Sequence, residues 1–377
     1  MGKIYWFINQ FCKRGGTEIV TNQIINFLCN DYEIEVVLLD NDKINHDLFT
    51  IKPDYKITQL DIDKKIIRNE DYFSKNIFKN IALAFKIINF SLFKKKKYRQ
   101  LIKEHTTKDD ILIFCSPYGM MIAPKDRNNY FHVHYNSRYI NKSLNRVIIN
   151  ALSVKPKEYI LLTEETCKSS HLHPTTFIYN PVRIKQKERY EVGETVHLVF
   201  MARYEKDKNP LLALHVLNEL AKINQNFTCD FYGKGYLKEE MIEYVNNNER
   251  LSNLVRINGK YNSPEEILFD KDIMIMTSYS EGFGLTIIES ACYSIPTVLF
   301  DFGAGCDEVV HNGIDSIVIK KFNAKEMANA LNELINNKER LIQLKKGAYI
   351  NSKRFSEDII KLKWKEFLNE QFKQIGH

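Results

Sequence analysis

The sequence has no apolar run long enough to span a bilayer. Met1 to Phe7 lead directly into a strand-like segment, without the apolar stretch and small-residue cleavage site of a secretory signal. Both absences set the expectation of a cytoplasmic chain. Cys12, Cys29, Cys115, Cys167, Cys229, Cys292 and Cys306 are scattered, odd in number and contain no close pair with metal-ligand spacing, so reduced thiols are expected. The dinucleotide spacing G-x-G-x-x-G is missing, which argues against a nicotinamide or flavin enzyme. Neither an H-E-x-x-H run nor a third-ligand cluster is visible, so no metal is expected. No nucleic-acid-binding module is recognisable, the basic residues form no aromatic-interleaved platform, and there is no internal repeat.

What is present is a chain of 377 residues, 44% hydrophobic and 27% charged, the profile of a globular protein too long for a single core. The net charge of +7 favours anionic ligands or surfaces without selecting nucleic acid. Apolar runs at Lys3 to Asn9, Glu35 to Asp40, Asp110 to Cys115, Tyr130 to His134 and Tyr159 to Thr163 alternate with segments of helical period. Runs apolar at nearly every position suit parallel strands covered on both faces, and the alternation predicts an α/β doubly wound domain. After Asn180 and Pro181 the pattern restarts, with Val196 to Met201, Phe227 to Tyr232, Leu254 to Ile257, Ile273 to Thr277 and Pro296 to Phe300, so residues 183–195 are the expected linker. From about Phe355 the chain reads as one amphipathic helix with Ile359, Ile360, Leu362, Trp364, Phe367, Leu368 and Phe372 as its apolar positions.

Four loops at strand ends carry chemistry. In Tyr279 to Ser290, Gly282 and Gly284 let backbone amides at a helix start approach a phosphate, while Glu281 and Glu289 can accept hydrogen bonds from sugar and nucleoside hydroxyls; a glycine turn with two solvated glutamates has the same pattern. In Met201 to Pro210, Arg203 and Lys208 flank a strand-to-helix turn, where two cations can neutralise a departing diphosphate without a metal. Gly15 and Gly16 permit a close backbone approach after the first strand. His132 and His134 share one side of a strand, as structural residues, substrate contacts or metal ligands.

In this order the motifs resemble the retaining GT-B glycosyltransferases of family 4, the glycosyl transferases group 1. The resemblance is collinear over almost the whole chain and includes the Asn180–Pro181 crossover, the turn from Gly233 to Gly235 and the two glutamates eight apart. It implies two Rossmann-like domains facing a cleft: an acceptor-side domain over 1–182, a nucleotide-sugar domain over 183–354, and a helix over 355–377 packing back on the first. Arg203 and Lys208 would bind the diphosphate, Glu281 the donor sugar, Glu289 the ribose. Gly282, Phe283, Gly284 and Leu285 would offer amides to the distal phosphate and sugar. Asn258, Gly259, Lys260 and Tyr261 match the segment that meets the base, and Asp301 to Glu308 a variable loop. His134, with His132 and Asn136, would stand on the acceptor side. The implied activity is transfer from a UDP-sugar to a glycan, lipid-linked or protein acceptor in bacterial cell-envelope or polysaccharide synthesis, with retention and no cofactor. A non-hydrolysing epimerase would need acid and base carboxylates in the cleft; a non-catalytic partner subunit would lack diphosphate ligands that are all present here.

One segment points elsewhere. Ile81 to Phe93 carries a single charge and precedes Lys94, Lys95, Lys96, Lys97 and Arg99. It reads either as a core helix ending in a solvated basic turn or as an interfacial helix that attaches residues 81–99 to an anionic membrane surface.

Overall fold

The computed structural model of the chain describes residues 2–9, 16–39, 55–60, 77–134, 151–182, 188–320 and 322–376. It divides into two units, Met1–Pro181 with Glu357–His377, and Val182–Ser356. Gly15 and Asn136 lie outside the described residues, as does most of the loop after the first strand.

The first unit holds β1 (Ile4–Ile8), β2 (Ile34–Leu38), β3 (Lys56–Gln59), β4 (Ile111–Phe114), β5 (Asn128–His132), β6 (Glu158–Leu161) and β7 (Thr175–Phe177). All described pairings are parallel, in the order β3-β2-β1-β4-β5-β6-β7. Every position of β1, β2, β4 and β5 is buried, because helices cover both faces of the sheet. The edge strands β3 and β7, which the apolar pattern had not marked, are half-solvated and so carry no continuous apolar run.

The last helix, Glu357–Ile375, belongs to this unit. Ile360, Trp364, Phe367, Leu368 and Phe372 are buried on one stripe, with the Trp364 ring 5.2 Å from Trp6 and Phe367 edge-on to Tyr130. The Tyr130 hydroxyl donates to Gln371 Oε1 at 2.9 Å, and Lys361 and Lys365 both pair with Asp31. Ile359 and Leu362, expected among the apolar contacts, are exposed on the opposite face.

The Ile81 to Phe93 segment lies in helix Ile77–Phe93, and Lys94 links it to a second helix, Lys95–His105. The lysines therefore open a helix rather than cap one, against the favourable dipole direction. The Lys95 ammonium reaches the Leu152 carbonyl, and the Arg99 guanidinium donates to the carbonyls of Met121 and Ala123. Ile87 and Phe90 are buried, whereas Phe85 and Phe93 are 74% and 76% exposed.

The second unit contains β8 (Val196–Met201), β9 (Phe227–Tyr232), β10 (Val255–Ile257), β11 (Ile273–Met276), β12 (Thr297–Phe300) and β13 (Ser316–Ile319), parallel in the order β10-β9-β8-β11-β12-β13. Phe200 stacks on Phe231 at 4.9 Å in a core closed by helices Pro210–Ala221 and Ala324–Asn336. In both sheets the strand order reverses beside the first strand, between β1 and β4 and between β8 and β11. The carboxyl ends at such a reversal diverge and leave a crevice, the place where open α/β sheets bind ligands.

Candidate active site

At the β8–β11 reversal the chain builds a loop junction from both strand ends. Tyr204 is fully buried and its hydroxyl donates to the Asn258 carbonyl at 2.9 Å, which pins the loop after β8 and leaves Arg203 outward. Asn209 adopts the left-handed region at φ 50, tolerable for asparagine, and Pro210 then starts the helix with its preset φ. From β11, the Thr277 hydroxyl donates to the Asn209 carbonyl at 2.8 Å and the Tyr279 amide to the Asp207 carbonyl at 3.0 Å. These bonds staple the two loops together and set the Lys208 ammonium 2.7 Å from Glu281 Oε2, both groups mostly shielded from water.

The cations are already engaged. Arg203 pairs with Glu205 and, at 2.9 Å, with Asp207. Two cations thus face three carboxylates, so a diphosphate would exchange partners with Glu205, Asp207 and Glu281 rather than meet bare positive charge. Ser278 Oγ and Asn209 Nδ2 are buried at the same junction without hydrogen-bond partners among the described residues. Unsatisfied buried polar atoms cost about 1–3 kcal/mol each, and a bound polar ligand would relieve that cost. Neither residue carried a signal in the sequence.

Gly284 stands at φ +77 before helix Leu285–Ala291, a conformation that favours glycine. Phe283 is buried with its ring edge-on to Phe355, so it anchors the loop and can present only its backbone to a ligand. Glu289 is half-buried on the same helix, near Tyr261, Cys292 and Tyr293, and burial pushes its pKa up to about 7. Burial, with Glu289 nearby as the smaller cause, also raises the pKa of Tyr261.

The glycines after β9 serve close packing. A Cβ on Gly233 would lie 2.0 Å from the Ala202 carbonyl oxygen, and one on Gly235 would lie 2.2 Å from that of Tyr204. Gly233 donates to the Gly259 carbonyl at 3.0 Å, bringing the ends of β8, β9 and β10 together. Gly259 itself borders open space and Lys260 is exposed. Asp301, at the end of β12, is exposed and accepts from the Gly303 amide.

In the first unit Gly16 opens helix Gly16–Leu28. Phe114 lies beside Phe131 in the β4–β5 register, which puts Cys115 next to His132 on one face of the sheet. The His132 and His134 rings are 3.9 Å apart, and none of their four nitrogens has a hydrogen-bond partner among the described residues. Burial, and for His132 the neighbouring imidazole, lowers the pKa of both, to about 3 for His134, so both rings are neutral at ordinary pH. Cys115 is the third group that sequence reading did not find: its Sγ lies with the histidine nitrogens in a set of ligand atoms within 4.8 Å of one another. It follows directly on β4, and only strand order reveals the proximity.

TarM of S. aureus superposes with a TM-score of 0.72 over 98% of this chain and 99% of that one, at 17% identity. An Anabaena protein, HepE in complex with UDP and glucose, gives 0.71 over 98% and 100%, also at 17% identity. The fold is GT-B. More narrowly, residues 182–351 match the model of the family described as Glycosyl transferases group 1. Over 375 aligned residues, 93% of this chain and 74% of the relative, the sequence is 24% identical to a poly(ribitol-phosphate) alpha-N-acetylglucosaminyltransferase of Staphylococcus aureus (strain COL).

Proposed function

We propose that this GT-B glycosyltransferase moves a sugar, with retention, from a UDP-sugar to a glycan, lipid-linked or protein acceptor in bacterial cell-envelope or polysaccharide synthesis. The observation that carries the reading is the stapled junction at the β8–β11 reversal, where Lys208 and Glu281 meet beside Arg203. A structure of TarM with UDP and alpha-GlcNAc-glycerol, and the relative acting on poly(ribitol-phosphate), support a uridine donor and an envelope polymer as acceptor.

On donor binding, Arg203 and Lys208 hold the diphosphate and take up the charge that grows as the sugar departs, supplying what a divalent ion supplies in other transferases. Lys208 thereby releases Glu281, whose carboxylate accepts hydrogen bonds from the sugar hydroxyls and orients the ring. Glu289 accepts from the ribose, Gly282 to Leu285 offer amides to the distal phosphate, and Asn258 to Tyr261 border the base. The acceptor hydroxyl donates its proton to the departing phosphate on the face the leaving group vacates, which preserves the anomeric configuration. His134, neutral at ordinary pH, stands on the acceptor side. Incubation with a panel of nucleotide sugars, with the product's anomeric configuration read by NMR, tests this: preference for a non-uridine donor, or inversion, contradicts it.

The exposed stripe of Ile81, Phe85, Ile88 and Phe93, with Lys96 and Lys97 facing solvent, supports peripheral attachment to an anionic bilayer. No helix among the described residues is long and apolar enough to cross a membrane. Salt-sensitive sedimentation with anionic but not neutral vesicles is expected, and its absence returns the stripe to a purely structural role.

A further inference from the structure

An acceptor contact by His134 leaves the arrangement of Cys115, His132 and His134 unexplained, although their ligand atoms lie within 4.8 Å of one another. Trp6 pairs with Ile113 across the β1–β4 register, so Trp6, Cys115 and His132 share one sheet face, and His134 continues it by strand alternation. Trp364 covers that face, its ring 5.2 Å from His132. His132 is 0% exposed, and leaving its nitrogens and those of His134 unpaired costs about 1–3 kcal/mol per group. A site that concentrates unpaired lone pairs beside a sulfur is chemically incomplete.

We propose that Cys115 Sγ and one nitrogen each of His132 and His134 bind a single borderline-soft divalent cation of the zinc type. One sulfur and two imidazoles suit zinc or cobalt and disfavour magnesium or calcium, which require oxygen ligands. Around a tetrahedral ion with metal–sulfur bonds of about 2.3 Å and metal–nitrogen bonds of about 2.0 Å, ligand atoms stand roughly 3.3–3.7 Å apart. The three ligand atoms already lie within 4.8 Å of one another, so a small rotation of the half-exposed His134 closes the set. The Trp6 indole donates to Cys115 Sγ at 3.1 Å, the kind of outer-sphere bond that stabilises a metal-bound thiolate. As the sulfur–metal bond forms, the thiol proton leaves to solvent. The ion clamps the ends of β4 and β5 and leaves a fourth position open.

Equilibrium dialysis of the full chain against cobalt(II) tests the site, because cobalt reports its ligands. One cobalt per chain and a thiolate-to-cobalt charge-transfer band in the near ultraviolet are expected. Cys115→Ser abolishes the band, His134→Gln weakens binding at least about tenfold, and His171→Gln on the surface changes neither. Circular dichroism melting confirms that each variant is folded. A wild-type chain that shows no band overturns the proposal whatever the variants do, as does a band that survives Cys115→Ser.

Discussion

Replacing Glu289 by glutamine removes one charge from helix Leu285–Ala291 and keeps its shape, so the variant reads what that charge costs. Burial raises the Glu289 carboxyl from 4.5 to about 7. A carboxyl whose folded pKa lies above its unfolded value holds its proton more tightly in the folded chain. The stability it contributes is therefore fully present below about pH 4.5 and is lost as pH rises through about 7. The displacement corresponds to about 3 kcal/mol against the folded wild type once the group is ionised. A unit of this size shifts by about 2–4 °C per kcal/mol, so Glu289→Gln should melt roughly 6–12 °C above wild type at about pH 8.5, with the difference vanishing near pH 4. Scanning calorimetry across this range is the assay. The same variant should bind UDP roughly 10–100-fold more weakly in titration calorimetry, because an ionised acceptor of ribose hydroxyls contributes about 1.5–3 kcal/mol per bond. A melting difference that does not change with pH refutes the desolvation reasoning, and undiminished UDP affinity refutes the ribose assignment.

Three further outcomes follow from the same geometry. Turnover should survive EDTA on the proposal that Arg203 and Lys208 supply the positive charge at the diphosphate; activity lost to chelator and restored by magnesium or manganese overturns that account. Glu281→Ala should lower kcat on the order of a hundredfold while UDP affinity holds or rises, since the substitution frees Lys208 from its 2.7 Å partner; a parallel fall in kcat and UDP affinity contradicts the division of roles. Asp207→Asn removes one competitor for Arg203 and should tighten UDP binding about 2–5-fold, the scale of an exposed ion pair; weaker binding would mean that Asp207 positions Arg203 for its ligand.

Much of the architecture is legible in local order. A strand covered on both faces must be apolar at each position, so β1, β4, β8 and β11 announce themselves, and the loops after them place Arg203 and Glu281 at strand ends. Edge strands β3, β7 and β13 do not, because water covers part of their surface. The basic run after Phe93 misleads for a similar reason: periodicity alone does not locate the turn at Lys94, and the inward paths of Lys95 and Arg99 depend on carbonyls of Leu152, Met121 and Ala123.

The residue order by itself determined the alternation of strands and helices, its restart after Pro181, the glycines that turns require and the charged groups at strand ends. These follow from backbone geometry over a few residues, with periods of two and 3.6 that sequence displays directly. Only the tertiary structure decided which strand ends are neighbours. It joined Lys208 to Glu281 across 73 positions, engaged Arg203 with two carboxylates, left Glu289 without a cation among the described residues, and set Cys115 beside two histidines under Trp364. Those contacts arise from strand order and helix packing between distant segments, and burial then sets the charge states, so no local pattern encodes them.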